Sequence, residues 1–107
     1  MNESSEHCHG LPAEAIDKLN GVFRAWPQIE SVILYGSRAK GNYRTGSDID
    51  LCIRAEALKL PDLLAIENQI DELLLPWKVD LSLIDHIDNA DLLDHIRRVG
   101  TVFYQRP

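Results

Sequence analysis

The 107-residue chain predicts an α/β (α+β) domain, a small mixed β-sheet flanked by helices. Three observations carry this expectation. Two long stretches, Pro12 to Trp26 and Leu60 to Leu75, repeat apolar residues every three or four positions, the period of a helix with one buried side. Short apolar runs of strand length lie between and after them, at Ser31 to Tyr35, Asp48 to Arg54 and Trp77 to Ile84. Helical and extended segments alternate along the chain, which a single sheet carrying helices can bury together.

In the first helix Ala15, Ile16, Leu19, Val22, Phe23 and Trp26 form the apolar side, with Pro12 suited to the first turn and Pro27 ending the run. The contiguous Val32, Ile33 and Leu34 point to a strand buried on both faces, hence central in the sheet. Arg38 to Thr45 reads as a helical turn and loop broken by Gly41 and Gly46. Leu63, Leu64, Ile66, Ile70, Leu73 and Leu74 make the stripe of the second long helix, started by Pro61 and stopped by Pro76. Trp77, Val79, Leu81 and Leu83 alternate with Lys78, Asp80 and Ser82, so Asp80 sits mid-strand on a polar face. A last helix spans Asp88 to Val99, with Asp88 or Asn89 as N-cap and Gly100 as stop, and Thr101 to Tyr104 forms a small edge strand.

At this length, with 45% hydrophobic residues, one core fits and a second does not. Residues 11–107 are expected to form that single domain and residues 1–10, MNESSEHCHG, a flexible tail. Adjacent His7, Cys8 and His9 diverge and make a poor zinc site, and His86 and His95 lack a second ligand at metal spacing, so both are expected to be solvated or hydrogen-bonded. The net charge of -6 argues against direct nucleic-acid binding, which needs Lys and Arg to neutralise phosphates. No apolar run reaches membrane-spanning length, so no membrane partner is expected. Cys8 and Cys52 do not suggest a disulfide framework, and a cytoplasmic setting fits them.

The chemistry concentrates in SVILYGSRAKGNYRTGSDIDLCIR, Ser31 to Arg54. In an extended chain Ile49, Leu51 and Ile53 can enter the core while Asp48, Asp50 and Cys52 share the other face. The two carboxylates then recur at about 6–7 Å, which suits one Mg2+ or a pair of ions about 3.5–4 Å apart. Adjacent anions repel, and a divalent cation lets both stay ionised. Gly36 permits a sharp turn and close approach to a ligand, and Ser37 adds a hydroxyl to the amides of the next turn. Arg38 and Lys40 stand where they can neutralise outer phosphates, one as a fork and one as a point charge, with Arg44 a further candidate. Tyr43 could stack on a base, although a partly exposed loop tyrosine is the plainer reading. A lone D-x-D also occurs in glycosyltransferases, which need a longer chain, and in calcium loops, whose other acidic positions LCIRAE lacks.

Gly36-Ser37, ten intervening residues and Asp48-x-Asp50 resemble the signature of the polymerase-beta-type nucleotidyltransferase superfamily. The strings GSRAKG and RTGSDIDL are similar to its minimal nucleotidyltransferase (MNT) members, antitoxins paired with a HEPN-domain ribonuclease toxin. The similarity is dense from Leu34 to Leu51 and extends in architecture from about Leu11 to Tyr104; Lys40, where Arg is as often expected, keeps the charge. The resemblance implies a polymerase-beta palm-like core, nucleotide binding by Gly36, Ser37, Arg38, Lys40 and Ser47, and catalysis and metal binding by Asp48, Asp50 and Asp80. Asp80 completes the triad if its strand lies beside the other two acids; the alternative is an ordinary exposed strand residue, since adjacency is not readable from one sequence.

The implied reaction takes ATP as substrate with two Mg2+ ions and places AMP on a tyrosine of the HEPN toxin, silencing it with added charge and bulk. Larger enzymes of the superfamily carry an added acceptor-binding domain, so here the acceptor is expected on another macromolecule or an oligomer. Two other readings stay open: a non-catalytic antitoxin that covers its partner sterically, and a small-molecule nucleotidyltransferase completed by a partner subunit. Three retained acids favour catalysis.

Overall fold

The computed structural model describes residues 7–107. Residues 1–6 of the expected tail lie outside this range, but residues 7–10 already depart from it. His7–Cys8 (β1) pairs antiparallel with Leu11–Pro12 (β2), and the turn between them uses positive φ at His9 and Gly10. A two-residue strand leaves no periodicity to read, so the hairpin is invisible in the sequence.

Helix α1, Ala13–Arg24, buries Ala15, Leu19, Val22 and Phe23 and starts directly after Pro12. It ends before Trp26, because a residue preceding a proline is pushed out of the helical region. Trp26 instead donates its indole N–H to Gln69 Oε1 at 3.0 Å. Strand β3, Ile29–Tyr35, is followed by the single turn α2, Ser37–Lys40, and by strand β4, Ile49–Ala55. Helix α3, Leu60–Asp71, is shorter than its apolar stripe suggests. Beyond it Leu73 and Leu75 still pack on the core, while Leu74, at φ 55, is 87% exposed. The stripe outlasts the helix because apolar residues are also needed where the chain turns toward the sheet. Strand β5, Val79–Leu83, leads through a short 3-10 turn to helix α4, Ala90–Val99, and strand β6, Thr101–Gln105. Asn89 caps α4, its Oδ1 accepting the Leu92 N–H at 3.0 Å.

The four long strands form one mixed sheet in the order β5-β4-β3-β6. β3 is central, antiparallel to both β4 and β6, and β6 is the edge strand anticipated for Thr101 onward. β4 and β5 run parallel, with α3 as the crossover. One face of the sheet carries the main core: Val32, Leu34, Leu51, Ile53, Leu81 and Leu83 pack with residues of α1 and α3. On the other face a smaller cluster joins Tyr35, Cys52 and Ile33 to Leu92 and Ile96 of α4. α4 leaves the β5 side of this second face uncovered enough for Asp80 to be exposed, and that is where Asp50 and Asp80 stand in register.

Candidate active site

The period-two expectation for β4 holds: Ile49, Leu51 and Ile53 are fully buried, and Asp50 and Cys52 face the opposite way. Asp50 pairs in register with Asp80 on one side and with Tyr35 on the other. Residues in register on adjacent strands project to the same face, so the two strand acids stand side by side. Asp48 precedes the strand and is exposed. Burial, and after it the charges of Asp80 and Asp48, hold the Asp50 carboxyl above the usual carboxylate range, with His95 pulling it back down. The charges of both other acids are therefore felt at Asp50.

Gly36 closes the corner at φ 78 and ψ -158, a conformation that side chains make costly. A Cβ built on it would overlap the Asp50 carboxylate. The absence of a side chain is thus what lets the turn lie against the acid. Gly36 accepts the Lys40 N–H through its carbonyl at 3.1 Å, and its own N–H donates to His95 Nε2 at 3.2 Å. The His95 ring stands edge-on to Tyr35, with centroids 6.3 Å apart. Burial raises the Tyr35 phenol, Ser82 beside it offsets part of the rise, and the charges of Asp50, Cys52 and Asp80 add to it.

Arg38 is placed differently from expectation. It is 1% exposed, and its guanidinium is consumed by the backbone: Nε and Nη2 donate to the Ser47 carbonyl at 3.1 and 2.9 Å, Nη1 to that of His9 at 2.9 Å, and Nη2 to that of Thr45 at 3.4 Å. The guanidinium carbon lies 5.1 Å from the centre of the Tyr43 ring and 5.9 Å from that of Trp77. Burial pulls its pKa down and Tyr43 opposes this. Arg38 thus ties the hairpin, the loop and the approach to β5 together, and the fork expected on a phosphate is engaged elsewhere. Gly10 belongs to the same knot, since a Cβ there would overlap the Tyr43 ring and come within 2.9 Å of Arg38 Nη1. Tyr43 accordingly packs on a protein cation. Ser47 is half-buried, and its Oγ accepts the Arg44 N–H at 2.8 Å within the loop. Lys40 is exposed and forms no ion pair among the described residues, which leaves it the basic side chain of α2 free to meet an anion. A cleft of about 330 Å³ lined by Glu67, Asp71, Trp77, Lys78 and Asp80 runs beside β5 and touches the acids only through Asp80.

The donor set fits a hard divalent cation. Carboxylate oxygens are the ligands Mg2+ takes; burial, and after it the charges of Asp80 and Asp48, raise Asp50, and such an ion favours its ionised form. Among the described residues no three His, Cys, Asp or Glu side chains are gathered as a ready-made ligand set, so Asp50 and Asp80 form the paired part and exposed Asp48 stands apart at the strand's entrance. His95 is hydrogen-bonded, one of the two states expected of it, but its partner Gly36 and the contact with Tyr35 are not legible in the sequence. His95 is 59 positions from Gly36, and no local signal joins them.

Comparison with known proteins bears on the fold. A search of the curated proteins found no match. Among solved structures, a toxin–antitoxin crystal structure with AMP-PNP is similar at 21% identity and TM-score 0.68, covering 84% of this chain and 73% of that one. A complex of tri-AMPylated Shewanella oneidensis HEPN toxin with MNT antitoxin is similar at 18% identity and TM-score 0.65, covering 87% and 71%. A candidate nucleotidyltransferase from Sulfolobus solfataricus follows at 19% identity and TM-score 0.57, covering 86% and 78%. At these identities the likeness is one of fold. The profile of the family described as polymerase beta, nucleotidyltransferase, matches residues 17–107, nearly all of the described chain, and the chain belongs to that family.

Proposed function

We propose that this domain is a Mg2+-dependent nucleotidyltransferase that moves AMP from ATP to a tyrosine of a HEPN-type toxin partner and so acts as its antitoxin. The observation that carries the reading is Asp50 in register with Asp80, with its carboxylate against a turn that only glycine can form. Supporting it are the similar folds solved with AMP-PNP and with an AMPylated HEPN toxin.

Asp48, Asp50 and Asp80 would hold two Mg2+ ions, which when bound supply charge for the triphosphate and lower the pKa of the acceptor hydroxyl. Gly36 and Ser37 orient the triphosphate, and Lys40 meets its outer charge. Asp80, exposed beside Asp50, takes the proton of the tyrosine hydroxyl. The tyrosine oxygen bonds to the α-phosphorus, the bond from that phosphorus to the bridging oxygen breaks, and pyrophosphate leaves with the electron pair. Arg38 and Ser47 contribute by fixing the loop between Gly41 and Asp48. Residues 11–107 serve as the catalytic unit, and a free, buried Cys52 accords with a reducing cytoplasm.

The test incubates the protein with labelled ATP, Mg2+ and the product of the adjacent reading frame. Label on that partner, absent with Asp48→Asn, is the expected result. Neutralisation of the partner without label would replace catalysis by steric cover, and label on a small acceptor alone would replace the protein substrate.

A further inference from the structure

The Gly36 turn has no side chain to hold it, so its shape rests on hydrogen bonds and packing. Its carbonyl is fixed within α2 by the Lys40 N–H. The orientation of the preceding peptide is fixed from another element, because the Gly36 N–H has His95 Nε2 as its partner. Around His95, α4 is occupied with ordinary helix business. Leu92 and Ile96 pack on the sheet, and Asp94 pairs with Arg98 one turn along. Among the described residues His95 is the one α4 side chain that hydrogen-bonds another element. The ring is set by its edge-on contact with Tyr35, whose neighbour in register is Asp50.

We propose that His95 is a positioning residue for the nucleotide: through Nε2 it holds the Gly36 peptide in the orientation in which the turn lies against Asp50 and receives the triphosphate. This rests on the nucleotidyltransferase reading of the same corner. Preorganisation of this kind acts on binding, since a turn that must be ordered by the ligand spends binding free energy on the ordering. His95 does not touch the reacting atoms, and its loss leaves the chemistry of the bound complex largely intact.

Two variants separate the hydrogen bond from the ring. His95→Phe keeps a flat ring against Tyr35 and removes the acceptor. His95→Gln gives up the ring but carries an amide oxygen at the reach of Nε2. Calorimetry with a nonhydrolysable ATP analogue and Mg2+ should show His95→Phe binding about fivefold more weakly, the factor one lost hydrogen bond of ordinary strength gives. His95→Gln should stay within about threefold of the parent, and kcat for transfer should change less than KM in both. Exchange of the Gly36 amide with solvent, followed by NMR, should quicken in His95→Phe and stay slow in His95→Gln whether or not nucleotide is present. Equal nucleotide binding by the parent and His95→Phe would overturn the positioning role alone, as would failure of His95→Gln to restore it. A parent protein that binds no nucleotide would overturn the nucleotidyltransferase reading, and the positioning role with it.

Discussion

At the scale of single residues the site depends on one side chain that is present and one that is missing. Asp50 stands in register with Asp80, and its carboxylate fills the space a Cβ on Gly36 would need. Asp50→Asn keeps the shape and removes the charge, so the similar fold should persist while transfer of label falls by about 10²–10³, the scale seen when a group that stabilises transition-state charge is lost. A single-turnover assay at saturating Mg2+ checks this, and a variant retaining a tenth of the parent rate would show that Asp50 is not central. Gly36→Ala tests the missing side chain. The methyl group meets the carboxylate and also forces a β-carbon into φ 78. We expect a loss of about 1–3 kcal/mol in urea denaturation, accompanied by loss of nucleotide binding. A fully stable Gly36→Ala protein that binds nucleotide would mean the turn is free to move away from Asp50. Both residues were legible in the sequence because their roles are local: alternation places Asp50 opposite Ile49 and Leu51, and a glycine ending an apolar run marks a turn. The place of Arg38 is not legible at the same scale, since nothing in GSRAKG distinguishes a guanidinium facing solvent from one that four backbone hydrogen bonds have drawn inside.

At the scale of elements the loop from Gly41 to Asp48 has no regular structure, and its order is imposed from α2 by Arg38. A buried cation donating to three carbonyl groups is strongly constrained by geometry. Lysine keeps the charge but offers a point of three donors instead of a planar fork. Arg38→Lys should therefore destabilise the protein by about 2–3 kcal/mol and Arg38→Ala by at least as much, through unpaired carbonyls and lost stacking on Tyr43 and Trp77. Limited proteolysis should cut first in the Gly41–Ser47 loop of either variant. Cleavage elsewhere, or a melting temperature unchanged in Arg38→Lys, would remove the knot from the account. Boundaries at this scale were legible where a proline or a cap sets them, as with Pro12, Pro27 and Asn89. They were not legible where apolar residues serve the core from outside an element, as Leu73 and Leu75 do, nor in the two-residue strands of the His7–Pro12 hairpin.

At the scale of the whole molecule, strand order turns scattered acids into a site, and that order sets function against stability. The sequence makes the adjacency of β4 and β5 a conditional expectation, and their parallel direction comes from the structure. A single sequence contains Asp50 and Asp80 but not their adjacency, which depends on α3 crossing over to deliver β5 beside β4. Without a cation, the ionised Asp50 opposes folding. Asp50 is shifted upward from its ordinary 3.8 by burial, Asp80 and Asp48. A carboxyl with a raised folded-state pKa binds its proton more tightly when native than when unfolded, so the native state loses stability as pH rises from the unfolded value through the folded one. Asp50→Asn removes that loss. The difference in melting temperature between Asp50→Asn and the parent, measured without divalent cation, should be near zero at about pH 4 and grow in favour of the variant toward neutrality. An effect of about 1 kcal/mol would amount to about 4–8 °C in a domain of this size. Adding Mg2+ with ATP should reverse the order, stabilising the parent by mass action while the variant, short of a ligand, gains less. If the variant is no more stable than the parent at neutral pH, the acids do not repel enough to need a cation. If Mg2+ and ATP stabilise both alike, Asp50 is not among the groups that hold them.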